Sequence, residues 1–456
     1  MKSINYIQNL LKMKNKLTKF TFLVVVTLLV FNCKKDDGGV APENEIVTIG
    51  GEKMEFADKG SITNVVKQNN TTEISLSDMK SLASFDNSKL IFDGNPAAVK
   101  ALKNGQVVLF EGNSLRKVVS ITESGGKTTV ATTNAKFNEY YKSAKVNFEK
   151  QMYWTSNNIK NARIKVAGGR IKSVTGTNDD GVEFSGELSG WNLSLKLNPE
   201  GGSGRKLNVE LTAKRGNLAG IEAKGFISDF SATSDIDLNN GNLDAYNHQH
   251  NDLNGELEVK YAFLSLSQIA QISIPLEISR TILVNGVIPV TFTLKCNLKV
   301  YPEVAANSTC QAHLKLTYNG TQGFNYNNRN IETAGTLAGF DVTRIGDTGS
   351  ASEGIVGVGV GLEFPRFQIG IFHSVVVPYI LNNTSVQSYF ESGLPFVPGP
   401  CNQTILGLKG VVGVDLSFFG VSYSASRDLY ERKTEFKTPG SKCPAALNPA
   451  LYGALL

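Results

Sequence analysis

From residue 153 to residue 443, apolar and polar side chains alternate with a period of two, and Asn-Gly pairs stand at Asn240-Gly241, Asn285-Gly286 and Asn319-Gly320. That period sends successive side chains to opposite faces of a strand and does not fit the 3.6-residue stripe of a helix. Asn-Gly supplies the two positive φ angles of a tight hairpin turn. A chain patterned this way folds as antiparallel sheet, and two stacked sheets bury both apolar faces. The expected fold class is therefore mainly β: a small N-terminal β domain, one connecting helix, then a large antiparallel sandwich-like domain. A membrane-spanning barrel also alternates, but Thr/Lys faces and the lack of aromatic girdles favour the sandwich. The alternating glycines Gly357, Gly359 and Gly361 precede no helical pattern, so they mark close layer approach or a bend, not a nucleotide loop.

The sharpest unit spans 290–318. Phe292, Leu294, Cys296, Leu298 and Val300 share one face, and Cys310, Ala312, Leu314, Leu316 and Tyr318 repeat the pattern. Read as a hairpin folded about Glu303, it places Cys296 opposite Cys310 and predicts a disulfide. By elimination Cys401 pairs with Cys443 at the base of a second hairpin, Thr404–Lys437, turning near Phe419-Gly420. The missing Cys-x-x-Cys spacing argues against a metal site built on these cysteines.

Residues 46–134 read as the small domain. Asn95-Pro96 opens a helical turn that Gly105 closes, Val107 to Phe110 is a strand, and Gly125-Gly126 turns a hairpin between 115–121 and 128–132. Residues 103–133 are similar to small β domains of bacterial surface proteins. Phe137, Tyr140, Tyr141, Ala144 and Phe148 fall at helical spacing, so a connecting helix is expected over 135–152, capped by Asn134. Residues 153–443 form the large domain, and 444–456 an apolar tail packed on it.

At the other end, lysines 12–19 precede the apolar run Phe20–Phe31, which is shorter than the ~20 residues of a spanning helix. Asn32-Cys33 and then Lys34-Lys35-Asp36-Asp37 follow. This segment resembles the signal of a Bacteroidota-type surface lipoprotein, with Val30 at the aliphatic position and Phe31 and Asn32 where small residues are usual. The resemblance implies removal of residues 1–32, with Met1 or Met13 as start. It further implies lipid on Cys33, an outer-membrane anchor facing the cell exterior, and a flexible tether over 33–45. Cysteine parity agrees: five cysteines are Cys33 plus an even four.

Charge narrows the partners. The chain carries 46 basic and 41 acidic residues, and five of the lysines lie within the first 32 positions. Beyond them basic and acidic residues are equal in number, so nucleic-acid binding has no electrostatic support. Of four histidines, His313 lies on a polar strand face and His373 mid-strand. His248-Gln249-His250-Asn251-Asp252 puts His248, His250 and Asp252 on one side of an extended segment, a weak metal-ligand pattern. A solvated loop is the favoured reading, and no cofactor is expected. Asp235-x-Asp237-x-Asn239-Asn240-Gly241 reads as a strand with Ile236 and Leu238 inward, not a calcium loop. Trp191 alternates with Leu193, Leu195 and Leu197 and belongs to the core; Trp154 is the candidate exposed ligand platform.

With no nucleophile elbow or Cys/His pair, the expected function is non-enzymatic. It is a lipid-anchored surface module binding a glycan or another macromolecule. A carrier enclosing a hydrophobic ligand and a carboxylate-based glycoside-active enzyme are the alternatives.

Overall fold

The structure, a computed structural model, describes residues 46–155, 159, 163–166, 170–176, 181–200, 204–263, 272–304, 309–345, 349–351, 355–373, 377–391, 401–437 and 439. The expected signal, Cys33, the expected tether, Cys443 and the expected tail lie outside them. The described chain is mainly β, with three short α-helices.

Two large sheets dominate. The first runs Ile46–Ile49, Glu52–Phe56, Ile272–Val284, Ile288–Val304, Ile355–Ile371, Val377–Glu391, Cys401–Asp415, Ser424–Lys437, with Arg163–Val166 also on Ile272–Val284. The second runs Arg170–Gly176, Val182–Leu188, Trp191–Glu200, Lys206–Arg215, Ala219–Ser228, Asn242–Phe263, Ser231–Asn239, Tyr141–Gln151, Lys59–Lys67. Asn242–Phe263 also pairs with Thr309–Asn327, which carries Asn330–Arg344 and Gly349–Ala351. Their inner faces share one apolar core, joined by contacts such as Tyr246–Phe419 (ring centres 5.4 Å apart) and Phe137–Phe419 (5.5 Å). Strict alternation sets which side chains enter it: Trp191, Leu193, Leu195 and Leu197 are buried while the residues between them are less so.

A third sheet of six strands spans residues 71–134 and has its own core around Leu90, Phe92, Val108, Phe110 and Val130. Its helix Ala97–Lys100 follows Pro96, and the Gly125-Gly126 turn has φ of 57° and 74°, as expected. The expected domain boundary at 46 moves, however. Ile46–Ile49 and Glu52–Phe56 belong to the first large sheet, the latter pairing in parallel with Ile272–Val284, and Lys59–Lys67 lies on the edge of the second. The small sheet is thus inserted after strands that the large layers own.

Three further expectations are corrected. The helix over 135–152 shrinks to Phe137–Tyr140, and Tyr141–Gln151 is a strand. Ala144, Val146, Phe148 and Lys150 obey the period of two, and pairing on both edges fixes the extended form. The 290–318 unit is not a hairpin. Ile288–Val304 is flanked by Ile272–Val284 and Ile355–Ile371, whereas Thr309–Asn327 is flanked by Asn242–Phe263 and Asn330–Arg344. The chain crosses from one sheet to the other, so Cys296 lies in register with Leu276 and Cys310 with Phe263. The cross-strand geometry behind the expected bridge is not formed, and no disulfide is present among the described residues. Finally, Asn319-Gly320 is a register break within a continuing strand, not a turn; Asn328-Arg329 makes the turn, with φ of 46° and 67°. The Thr404–Lys437 hairpin stands, turning through Ser417–Phe419 and Gly420, whose φ is 83°. A side chain at Gly420 would also collide with Asn138.

Candidate functional site

The outward face of the second sheet is ordered by cross-strand register. One row reads Glu183, Lys196, Glu210, Lys224, Glu258, Lys315, alternating in sign from strand to strand. The row two residues along reads Asn198, Asn208, Phe226, Glu256. Beside these rows lies an open groove of about 300 Å³, with the Gly225 backbone in its floor. Asn198, Asn208, Phe226 and Glu256 form one wall, and Glu210, Lys224 and Glu258 the other. Gly225 is required there, because a Cβ would run into the Glu256 carbonyl.

Phe226 is the exceptional member. Its strand directs Ile221 and Ala223 inward and Glu222 and Lys224 outward, so an aromatic ring stands on the polar side. Lys206 covers it, with Nζ 4.3 Å from the ring centroid and 2.7 Å from a Glu200 oxygen. Hydrogen bonds from Lys206 and Asn208 hold the Glu200 carboxyl below the usual range. A cation on an exposed ring is worth only about 0.5–1 kcal/mol, so a ligand can displace the ammonium at small cost. Glu256 is bridged by Lys315 (2.8 Å), and Glu258 shares a hydrogen bond with the His313 imidazole. Both carboxylates are therefore engaged.

A second groove of about 350 Å³ opens on the same sheet between Lys59, Ser61, Asn147, Glu149, Thr233 and Asp235. Here the row Ser61, Asn147, Asp235, Asn247, Asn325, Glu332 crosses six strands and is rich in amides. Amide and hydroxyl groups donate and accept together, the complement of a polyol.

The inner face holds what the sequence assigned to a loop. His248 and His250 are on the strand Asn242–Phe263, and both are buried, at 2% and 1% exposure. The even-numbered residues 246, 248 and 250 point inward, as do the odd-numbered 255, 257 and 259. The parity switches at the register break between His250 and Leu253. Asp252 falls inside that break, and its side chain lies outside the described residues. Ser234 Oγ is 2.6 Å from His248 Nδ1, and both side chains are buried.

Trp154 is also corrected. At 3% exposure it is core, with the Arg280 guanidinium 5.5 Å from its ring. Phe226 is the aromatic that sequence reasoning overlooked, and its signal was present: an aromatic at the parity its neighbours reserve for charge. His373, expected mid-strand, sits in a turn at φ 55°, 3.4 Å from Glu52. Comparison of the chain with protein-family models, characterised proteins and solved structures gives no match.

Proposed function

We propose that this is a binding protein held at the outer membrane by lipid on Cys33, which engages a glycan with the outward face of its second sheet. The observation that carries the reading is the Phe226 groove. An aromatic ring beside Asn198, Asn208 and Glu256, on a face otherwise given to paired charges, joins an apolar platform to hydrogen-bonding groups. The near-balance of charge along the face suits a ligand of low charge. The amide-rich second groove on the same sheet gives a long polymer a further place to bind.

Screening the unlipidated mature chain, Cys33→Ser, on a glycan array tests this. Phe226→Ala is expected to weaken binding about tenfold or more, as for a central contact residue. No glycan bound, or binding indifferent to Phe226→Ala, would contradict the reading. Anchoring has its own test. Cys33→Ala is expected to abolish fatty-acid labelling and release the protein from membranes, since several acyl chains at about 0.8 kcal/mol per methylene dominate attachment. Labelling that survives the substitution would refute the anchor.

A further inference from the structure

Granted the reading that a glycan binds the outward face of the second sheet, the strand layout fixes how a long chain lies on it. Thr309–Asn327 follows the strand Asn242–Phe263 along one edge, from Ala245 to Phe263. The other edge is shared by two strands. Ser231–Asn239 pairs with residues 242–251, and Ala219–Ser228 pairs with residues 254–263. These two therefore run end to end in one direction, joined through Asp229-Phe230. The Phe226 groove lies near the end of the first, and the groove of Thr233 and Asp235 near the start of the second. Phe226 and Thr233 are seven residues apart on this line, as are their cross-strand partners Glu256 and Gln249. At about 3.3 Å per residue the grooves are no more than about 23 Å apart.

The outward positions between the grooves are polar and uncharged. Ser228, Asn254 and Asn319 stand level on three neighbouring strands, and Ser231 is level with Gln151. Asn319 is exposed and the other four are half-buried. All carry a hydroxyl or an amide, which donate and accept together. The charges beside this stripe are engaged: Glu256 with Lys315, Glu149 with Lys59, and Asp235 with the Asn147 amide. An acidic polysaccharide would set its own carboxylates against these three, whereas an uncharged one leaves the pairs intact. A span of about 23 Å takes on the order of five sugar rings end to end. We propose that the two grooves are the ends of one elongated site, which takes a single uncharged polysaccharide chain laid parallel to the strands. Once one end is held, the second groove meets the chain at an effective concentration set by its reach. A chain that spans both then binds about 100-fold tighter than one confined to a single groove.

The test is calorimetric titration of the mature Cys33→Ser chain with cello-, manno-, xylo- and malto-oligosaccharides, each graded from disaccharide to octasaccharide. Oligogalacturonate is the charged comparison. At least one neutral series is expected to gain about 100-fold in affinity as it lengthens past a single groove, and its octasaccharide to bind one per protein. Asn147→Ala combined with Thr233→Ala is expected to remove most of that gain, so that the octasaccharide binds little better than the short oligomers. Phe226→Ala is expected to weaken every length. The readout is the ratio of long-chain to short-chain affinity, which a fall in the folded fraction does not move. Affinity that is level with length, two octasaccharides per protein, or a ratio indifferent to the second-groove substitutions would overturn the joint site. In each of those cases, dependence on Phe226 would leave the single-groove reading standing. Tighter binding of oligogalacturonate would overturn the uncharged ligand, and no binding of any oligosaccharide would overturn both readings.

Discussion

Glu55→Gln is expected to destabilise the protein by about 3–5 kcal/mol, the usual consequence of breaking a buried ion pair from one side. Lys150 closes the inward series Ala144, Val146, Phe148 and has no exposed side-chain surface. Its ammonium donates to Asp58 Oδ1 (2.9 Å) and the Phe56 carbonyl (3.2 Å) and lies 3.8 Å from Glu55. Glu55 also bridges Arg280, whose Nη1 donates to the Tyr153 carbonyl at 2.7 Å. Two cations and two carboxylates thus knit the early strand Glu52–Phe56 to both large sheets. A neutral residue at 55 takes this carboxylate from Arg280 and leaves Lys150 with Asp58. Against a typical total of about 5–15 kcal/mol, that loss is large. Lys59→Gln, which breaks the exposed Lys59–Glu149 pair, is the control and should leave the midpoint nearly unchanged. Guanidinium titrations of both variants make the comparison, and equal midpoints would refute the clamp.

Acidification is expected to destabilise the protein before ordinary carboxylates titrate. Burial holds His248 at a pKa of about 3, with the Thr233 backbone opposing it in part, against 6.5 for a free imidazole. Burial, and then His248 itself, hold His250 well below 6.5. Below pH 6.5 the unfolded chain therefore binds protons that the folded chain refuses, and stability falls as the pH falls. Each group contributes about 1.4 kcal/mol per pH unit. His248 alone should remove about 2 kcal/mol between pH 6.5 and 4.5, with His250 adding to the slope. His248→Gln is expected to flatten the stability profile over this window. A wild-type curve that is level from pH 7 to 4.5 would contradict the buried, neutral pair.

What the sequence disclosed follows from which features are local. Asn240-Gly241, Asn285-Gly286 and Gly125-Gly126 were readable as turns because successive positive φ angles need particular residues at those positions. Asn319-Gly320 was misleading because glycine also serves a register break, and only the continuation through Phe324 and Tyr326 into the core tells the two apart. Phe137, Tyr140, Tyr141, Ala144 and Phe148 satisfy helical spacing, yet Ala144, Val146 and Phe148 equally satisfy a strand. The neighbours Ser231–Asn239 and Lys59–Lys67 settle the matter, and they lie far away in sequence. Alternation likewise identifies the faces of 290–318 but not their partners, so a crossing between sheets passed for a hairpin. The histidines were misplaced for a related reason, because a run of His, Gln, Asn and Asp looks solvated until its strand neighbours are known. The groove was legible in one residue only: Phe226 breaks the parity of its own strand.

Hydrogen exchange of the mature chain, with and without a glycan selected on the array, tests the central claim most directly. Added protection is expected in peptides covering Lys206–Arg215, Ala219–Ser228 and residues 254–260, the strands that wall the Phe226 groove. Protection confined to the small sheet of residues 71–134, or to the first large sheet, would show that the outward face of the second sheet is not the binding surface.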